Sequence, residues 1–96
     1  MSKICYSYES AGNVICIKLI GRWSEPLPKE FIDICKTYNK VLFKCDELLY
    51  ISAVGLRQLM SISRSKNVTQ VDFIGTNDTV KGIINITGFD KEINVY

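Results

Sequence analysis

Apolar and polar residues alternate through the first stretch, KICYSYE, which is also rich in aromatic residues; this spacing predicts a β-strand. SAGN follows as a turn. VICIKLIG is apolar on both alternating faces apart from Lys18, as suits an inner strand paired with the first in a hairpin. The period then changes. In EPLPKEFIDICKTYN, Leu27, Phe31, Ile34, Cys35 and Tyr38 fall on one face of a helix, with Pro28 tolerated in its first turn. VLFKC reads as a buried strand, and ELLYIS carries the chain into a small-residue loop. A second helix, with Leu56, Leu59, Met60 and Ser63 on one face, is predicted to begin at about Ala53. QVDFIG is a further strand. NDTVKGIINITG is a third helix: Val80, Ile83, Ile84 and Thr87 line one side, Asn77 or Thr76 can cap its start, and Gly88 can stop it. EINVY is either a short strand or a packed tail.

The resulting order, ββαβαβα(β), predicts an α/β fold: a mixed sheet with an N-terminal hairpin and helices packed on it. No repeat, linker or low-complexity segment interrupts it, so residues 1–96 are expected to form a single domain. The composition agrees, with 47% hydrophobic and 23% charged residues, enough to fill a core. A net charge of +2 is too mild for a nucleic-acid binder, which needs a concentrated basic stripe. No stretch reads as a secretory signal or approaches the roughly 18 apolar residues of a membrane span, so a cytoplasmic location without membrane insertion is expected.

Catalytic and metal chemistry find little support. The chain has no histidine, which removes Ser-His and Cys-His pairs. Its four cysteines, Cys5, Cys16, Cys35 and Cys45, form no CxxC pair and lie in apolar stretches, so four reduced, mostly buried thiols are expected and no metal site. Asp33, Asp46, Glu47 and Asp72 offer carboxylates, but no spacing brings two together. GTNDTVKG lacks the phosphate-loop pattern. The expectation is a non-enzyme without cofactors.

What remains is the loop YISAVG and the helix after it. Free N–H groups and the helix dipole favour an anion at such a start. Ser52 can cap the helix. Gly55 removes bulk, either for a ligand or for close packing of helix on sheet. Arg57, Ser61 and Arg64 lie along one side, with Lys66 beyond, and residues 53–67 contain no acid. They form either a solvated face or a patch for an acidic protein partner.

The segment VLFKCDELLYISAVGLRQLMSISR resembles the centre of STAS domains, the sulfate-transporter and anti-sigma-factor-antagonist family, in which an apolar strand leads through a D-S-x-G-L loop into an amphipathic helix. Gly55 and Leu56 match the G-L pair, Thr87 and Gly88 a late TG pair, and VICIKLIGRWS the second strand and its loop. The resemblance implies a non-enzymatic switch that binds an anti-sigma factor, itself a GHKL-type serine kinase, and is turned off when that kinase phosphorylates the loop serine. Here the phosphoacceptor position is Ala53 and the preceding aspartate is Ser52, which leaves Ser52 only a weak candidate acceptor. Ser24 and Lys44 replace two further acidic positions, and the family's usual C-terminal helix is expected to be absent. The expected partner surface comprises Ser52, Ala53, Val54, Gly55, Arg57, Ser61 and Arg64. An alternative is an accessory subunit on the cytoplasmic ATPase of an ABC-type lipid transporter, a role that needs no loop serine.

Overall fold

Five strands form one mixed sheet in the order β1-β2-β3-β4-β5. The computed structural model describes residues 4–96. β1 (Cys5–Ala11) and β2 (Val14–Trp23) are an antiparallel hairpin, and β3 (Lys40–Ile51), β4 (Gln70–Ile74) and β5 (Asn94–Val95) run parallel to β2. Between the parallel strands lie α1 (Lys29–Cys35), α2 (Ala53–Ser63) and α3 (Asp78–Thr87), with a 3₁₀ turn at Phe89–Lys91. The α/β order predicted from the sequence is the observed one, and EINVY supplies the short last strand. The first strand was expected to open at Lys3, which lies outside the described residues.

Because the parallel strands follow one another across the sheet in chain order, right-handed crossovers bring all three helices to the same face. The burial pattern records this. Along β2, Ile15, Ile17, Leu19 and Trp23 are buried, while Val14, Lys18, Ile20 and Arg22 are exposed on the helix-free side. Val41, Phe43, Phe73, Leu59, Ile62, Val80 and Ile84 are among the other core residues, and Phe43 packs against both Trp23 (6.0 Å between ring centres) and Phe73 (5.0 Å). β3 outruns its neighbour: it pairs with β4 only over Lys40–Lys44, so its later half pairs with β2 alone, through two register shifts that act as bulges. That extension carries the start of α2.

α1 is shorter than its predicted face. Pro28 sits at the N-cap, so Leu27 packs into the core from the preceding loop; the helix ends at Cys35, Ile32 is buried and Ile34 is exposed. The buried strip of α2 is Gly55, Leu56, Leu59 and Ile62, whereas Met60 and Ser63 are only half-buried. α3 follows expectation more closely. Asn77 Oδ1 accepts from the Val80 N–H (2.8 Å), and Gly88 closes the helix in the left-handed conformation at φ 80°.

The cysteines divide evenly, against the expectation that most would be buried. No disulfide joins any two of them. Cys35 and Cys45 are buried, which pushes each thiol up to about 12. Cys5 is exposed and Cys16 half-buried, because both lie at positions directed to the side of the sheet that carries no helix.

Candidate functional site

The corner from β3 into α2 is built on Trp23, the last residue of β2 and the one tryptophan of the chain. A Cβ on Gly55 would lie 2.8 Å from Cγ of Trp23 and 2.8 Å from Cγ1 of Ile51. The glycine therefore lets the first turn of α2 rest directly on the indole. Its role is packing, and being buried it lies beneath the surface where a partner contact was expected.

Three polar groups fasten this corner. The Ser52 hydroxyl donates to the Trp23 carbonyl (3.1 Å) and accepts from the Val54 N–H (3.2 Å), while the Ser52 N–H donates to the same Trp23 carbonyl (3.0 Å). Ser52 is thus the predicted N-cap and also a tie to β2. Gln58 does as much from the next turn. Its Oε1 accepts from the Trp23 indole N–H (3.1 Å) and the Leu27 N–H (2.9 Å), and its Nε2 donates to the Leu27 carbonyl (2.9 Å). The loop between β2 and α1 is so pinned to α2. The Asn77 side chain adds a bond from the other side, donating to the Leu48 carbonyl (3.0 Å).

On this base α2 presents a ridge to solvent: Ala53, Arg57, Ser61 and Arg64 are all exposed and spaced at helical intervals, with Val54 half-buried beside them. Ala53 is the first helical residue, and the first turn contains no acid, unlike that of α3, which has Asp78. The positive end of the α2 dipole is therefore left to Ser52 alone. Of the two predicted cations one is already engaged. Arg64 Nε and a terminal guanidinium nitrogen both donate to Glu92, each at 2.9 Å. No acidic side chain lies within ion-pair distance of Arg57 among the described residues, so Arg57 is the strong positive point of the ridge. Lys66 is also exposed.

The structure places Ala53, Arg57 and Ser61 along α2 with Ser52 and Arg64 at its two caps, and sequence reasoning missed what supports them. Trp23 carried a signal, as a lone tryptophan closing an apolar strand. Gln58 carried none, because a glutamine on a helix reads as solvated. Glu92 is 28 positions from Arg64, and only the fold joins them. At the same end of the sheet, Arg22 stacks over the Tyr50 ring at 4.6 Å on the side that carries no helix, and Leu49 is 56% exposed.

A family model for the STAS domain matches residues 10–96. The chain belongs to the STAS domain family. Among solved structures it is similar to an anti-sigma factor antagonist from Mycobacterium paratuberculosis, with a TM-score of 0.73 and 14% identity over 98% of this chain and 86% of the other. It is also similar to the anti-sigma factor antagonist SpoIIAA in its unphosphorylated form, with a TM-score of 0.62 and 8% identity over 85% of this chain and 83% of the other. At these identities the likeness is one of fold. No curated protein matches the sequence. Within the STAS fold the matched Gly55 and Leu56 are both buried at the start of α2, and Gly88 is the residue that ends α3.

Proposed function

We propose that this STAS domain is a non-enzymatic regulator that binds a protein partner, an anti-sigma factor of the GHKL serine-kinase type, through the start and exposed ridge of α2. Ala53, Arg57 and Ser61 form the contact, Val54 its apolar margin, and Arg64 a secondary charge. Binding in this reading is constitutive. The position that corresponds to the family's phosphoacceptor is Ala53, and the neighbouring Ser52 hydroxyl is occupied on both sides, by the Trp23 carbonyl and the Val54 N–H. Phosphorylating Ser52 would break the cap and the tie together.

The observation that carries this reading is the exposed methyl of Ala53, held at the first turn of a helix whose backbone is fixed by Trp23, Ser52 and Gln58. A fixed helix end with small exposed side chains and a nearby cation suits docking against a complementary, partly acidic surface.

Titration calorimetry against the kinase partner, with thermal melts of the free domain, tests it. Ala53→Asp should weaken binding at least about tenfold, roughly 1.4 kcal/mol, because the carboxylate must lose water against a surface shaped for a methyl. The free domain should melt almost unchanged, since a carboxylate at a helix start gains about 0.3–1 kcal/mol from the dipole. Equal affinities for the wild-type chain and Ala53→Asp would place the loop outside the interface and overturn the reading.

A further inference from the structure

The two edges of the sheet are unlike. β5 is two residues long, and a short edge strand offers little to pair with. β1 is seven residues long, and its register with β2 is unbroken from Cys5 opposite Ile20 to Ala11 opposite Val14. Sheets normally guard such an edge with lysine, proline or a bulge. CYSYESA has none of these, and its one charge is Glu9.

The hairpin turn decides which backbone groups face out. Gly12 (φ 59°) and Asn13 form a two-residue turn, so Ala11 and Val14 are a hydrogen-bonded pair. Alternation along an antiparallel ladder then turns the N–H and C=O groups of Tyr6, Tyr8 and Ser10 away from β2.

We propose that two copies of this chain join through β1, antiparallel about a twofold axis at Tyr8, to make one continuous sheet. In that register Tyr8 meets the second copy's Tyr8, Tyr6 meets Ser10 and Ser7 meets Glu9, so the whole strand overlaps and every outward group of the trio finds its complement. Moving the register by two residues in one direction sets Glu9 against Glu9; moving it in the other leaves Ser10 beyond the end of the facing strand. The side chains support the same choice. On the helix side, Tyr6 and Tyr8 pack on Phe31 (4.3 and 5.1 Å), yet Tyr8 is still 47% exposed, and pairing would cover it with its own counterpart. On the open side, Ser7, Glu9, Cys16, Lys18 and Lys44 line a shallow depression of about 290 Å³. Ser7 lies opposite Lys18, which lies opposite Lys44. Lys18 already pairs with Glu47 of its own chain (2.9 Å), and the second copy's Glu9, opposite Ser7, would add a further acid to this row of two lysines and a small serine. The ridge of α2 stays free in both copies.

Sedimentation equilibrium of the full chain, with amide hydrogen exchange by NMR at low and high concentration, tests the assembly. The expected result is a concentration-dependent dimer in which the amides of Tyr6, Tyr8 and Ser10 gain protection. Ser7→Glu should weaken the dimer about two- to thirtyfold by setting two acids opposite two others, and Ser7→Lys should tighten it. Within one chain the same changes act in the opposite sense, because residue 7 faces Lys18, so damage to the fold cannot imitate the result. A monomer at all concentrations, a dimer whose β1 amides stay unprotected, or two Ser7 variants that fail to diverge in this order would each overturn the proposal.

Discussion

At its first turn α2 rests on the Trp23 ring and is tied to β2 and to the loop before α1 by Ser52 and Gln58; at its far end it is held by the Arg64–Glu92 ion pair in contact with water. The first attachment works by close contact and by hydrogen bonds that are partly shielded from solvent. The second works by opposite charge at an exposed site, where the pair competes with water and salt. A single helix thus has one end that defines a surface rigidly and another that is merely steadied. The surface proposed for a partner is the one at the rigid end.

The sharpest way to break this contrast is at Gly55. Gly55→Val would drive a branched side chain into Trp23 and Ile51, where even a Cβ meets atoms at 2.8 Å. Overpacking of this kind costs about 1–3 kcal/mol, more than helix propensity returns on replacing glycine with valine, which is less than about 1 kcal/mol. A lowered urea midpoint and a changed Trp23 fluorescence are expected together. A variant as stable as the wild type would show that the corner has room the structure does not show.

Gln58 ranks next. Gln58→Leu keeps much of the volume but leaves the Trp23 indole N–H and both backbone groups of Leu27 without their partner. At about 0.5–1.5 kcal/mol for each lost bond, a destabilisation of about 2–3 kcal/mol is expected in chemical denaturation. The effect should appear locally as well, as faster amide exchange at Leu27, whose N–H donates to Gln58. If exchange there is unaltered, Gln58 does not hold the loop.

How much of this was legible in the sequence follows from the physics of each attachment. Period and caps are local, so the element order, the start of α2 at Ala53, the Ser52 cap and the Gly88 end of α3 could be read directly, and the α3 cap narrows to Asn77 or Thr76, of which the structure uses Asn77. So could the α2 ridge, because residues at helical spacing share a face whatever the rest of the fold does. What a local pattern does not carry is the partner of a polar side chain. Nothing local singles out Gln58, and Arg64 reads only as part of a solvated or partner-facing side, because Leu27, Trp23 and Glu92 come from distant segments. The buried face of α2 was placed slightly off for a similar reason. Gly55, with no side chain to count as apolar, is the residue that approaches the sheet most closely, and it turns Ile62 inward.

The smallest effect belongs to the far end, and its dependence on conditions identifies it. Hydrogen bonding from Arg64 holds Glu92 below its ordinary value near 4.5. The contribution of the pair is therefore fully present above the unfolded carboxylate value and is lost as pH falls through the lowered folded one. Arg64→Met should lower the melting temperature slightly at pH 7 in dilute buffer, less at high salt, where exposed charges are screened, and not at all in strong acid, where the carboxylate is neutral. Gln58→Leu should keep its full effect in high salt, because its bonds involve no ion pair. The same pairing orders the two cations in partner binding. Arg57 has no carboxylate within ion-pair distance among the described residues, whereas the charge of Arg64 is already balanced by Glu92. Arg57→Glu should therefore slow association more than Arg64→Glu and take away more of its salt dependence, as stopped-flow binding at two ionic strengths would measure. Equal effects at the two sites would mean that Glu92 does not hold Arg64 in solution, and the difference between the ends of α2 would then rest on packing alone.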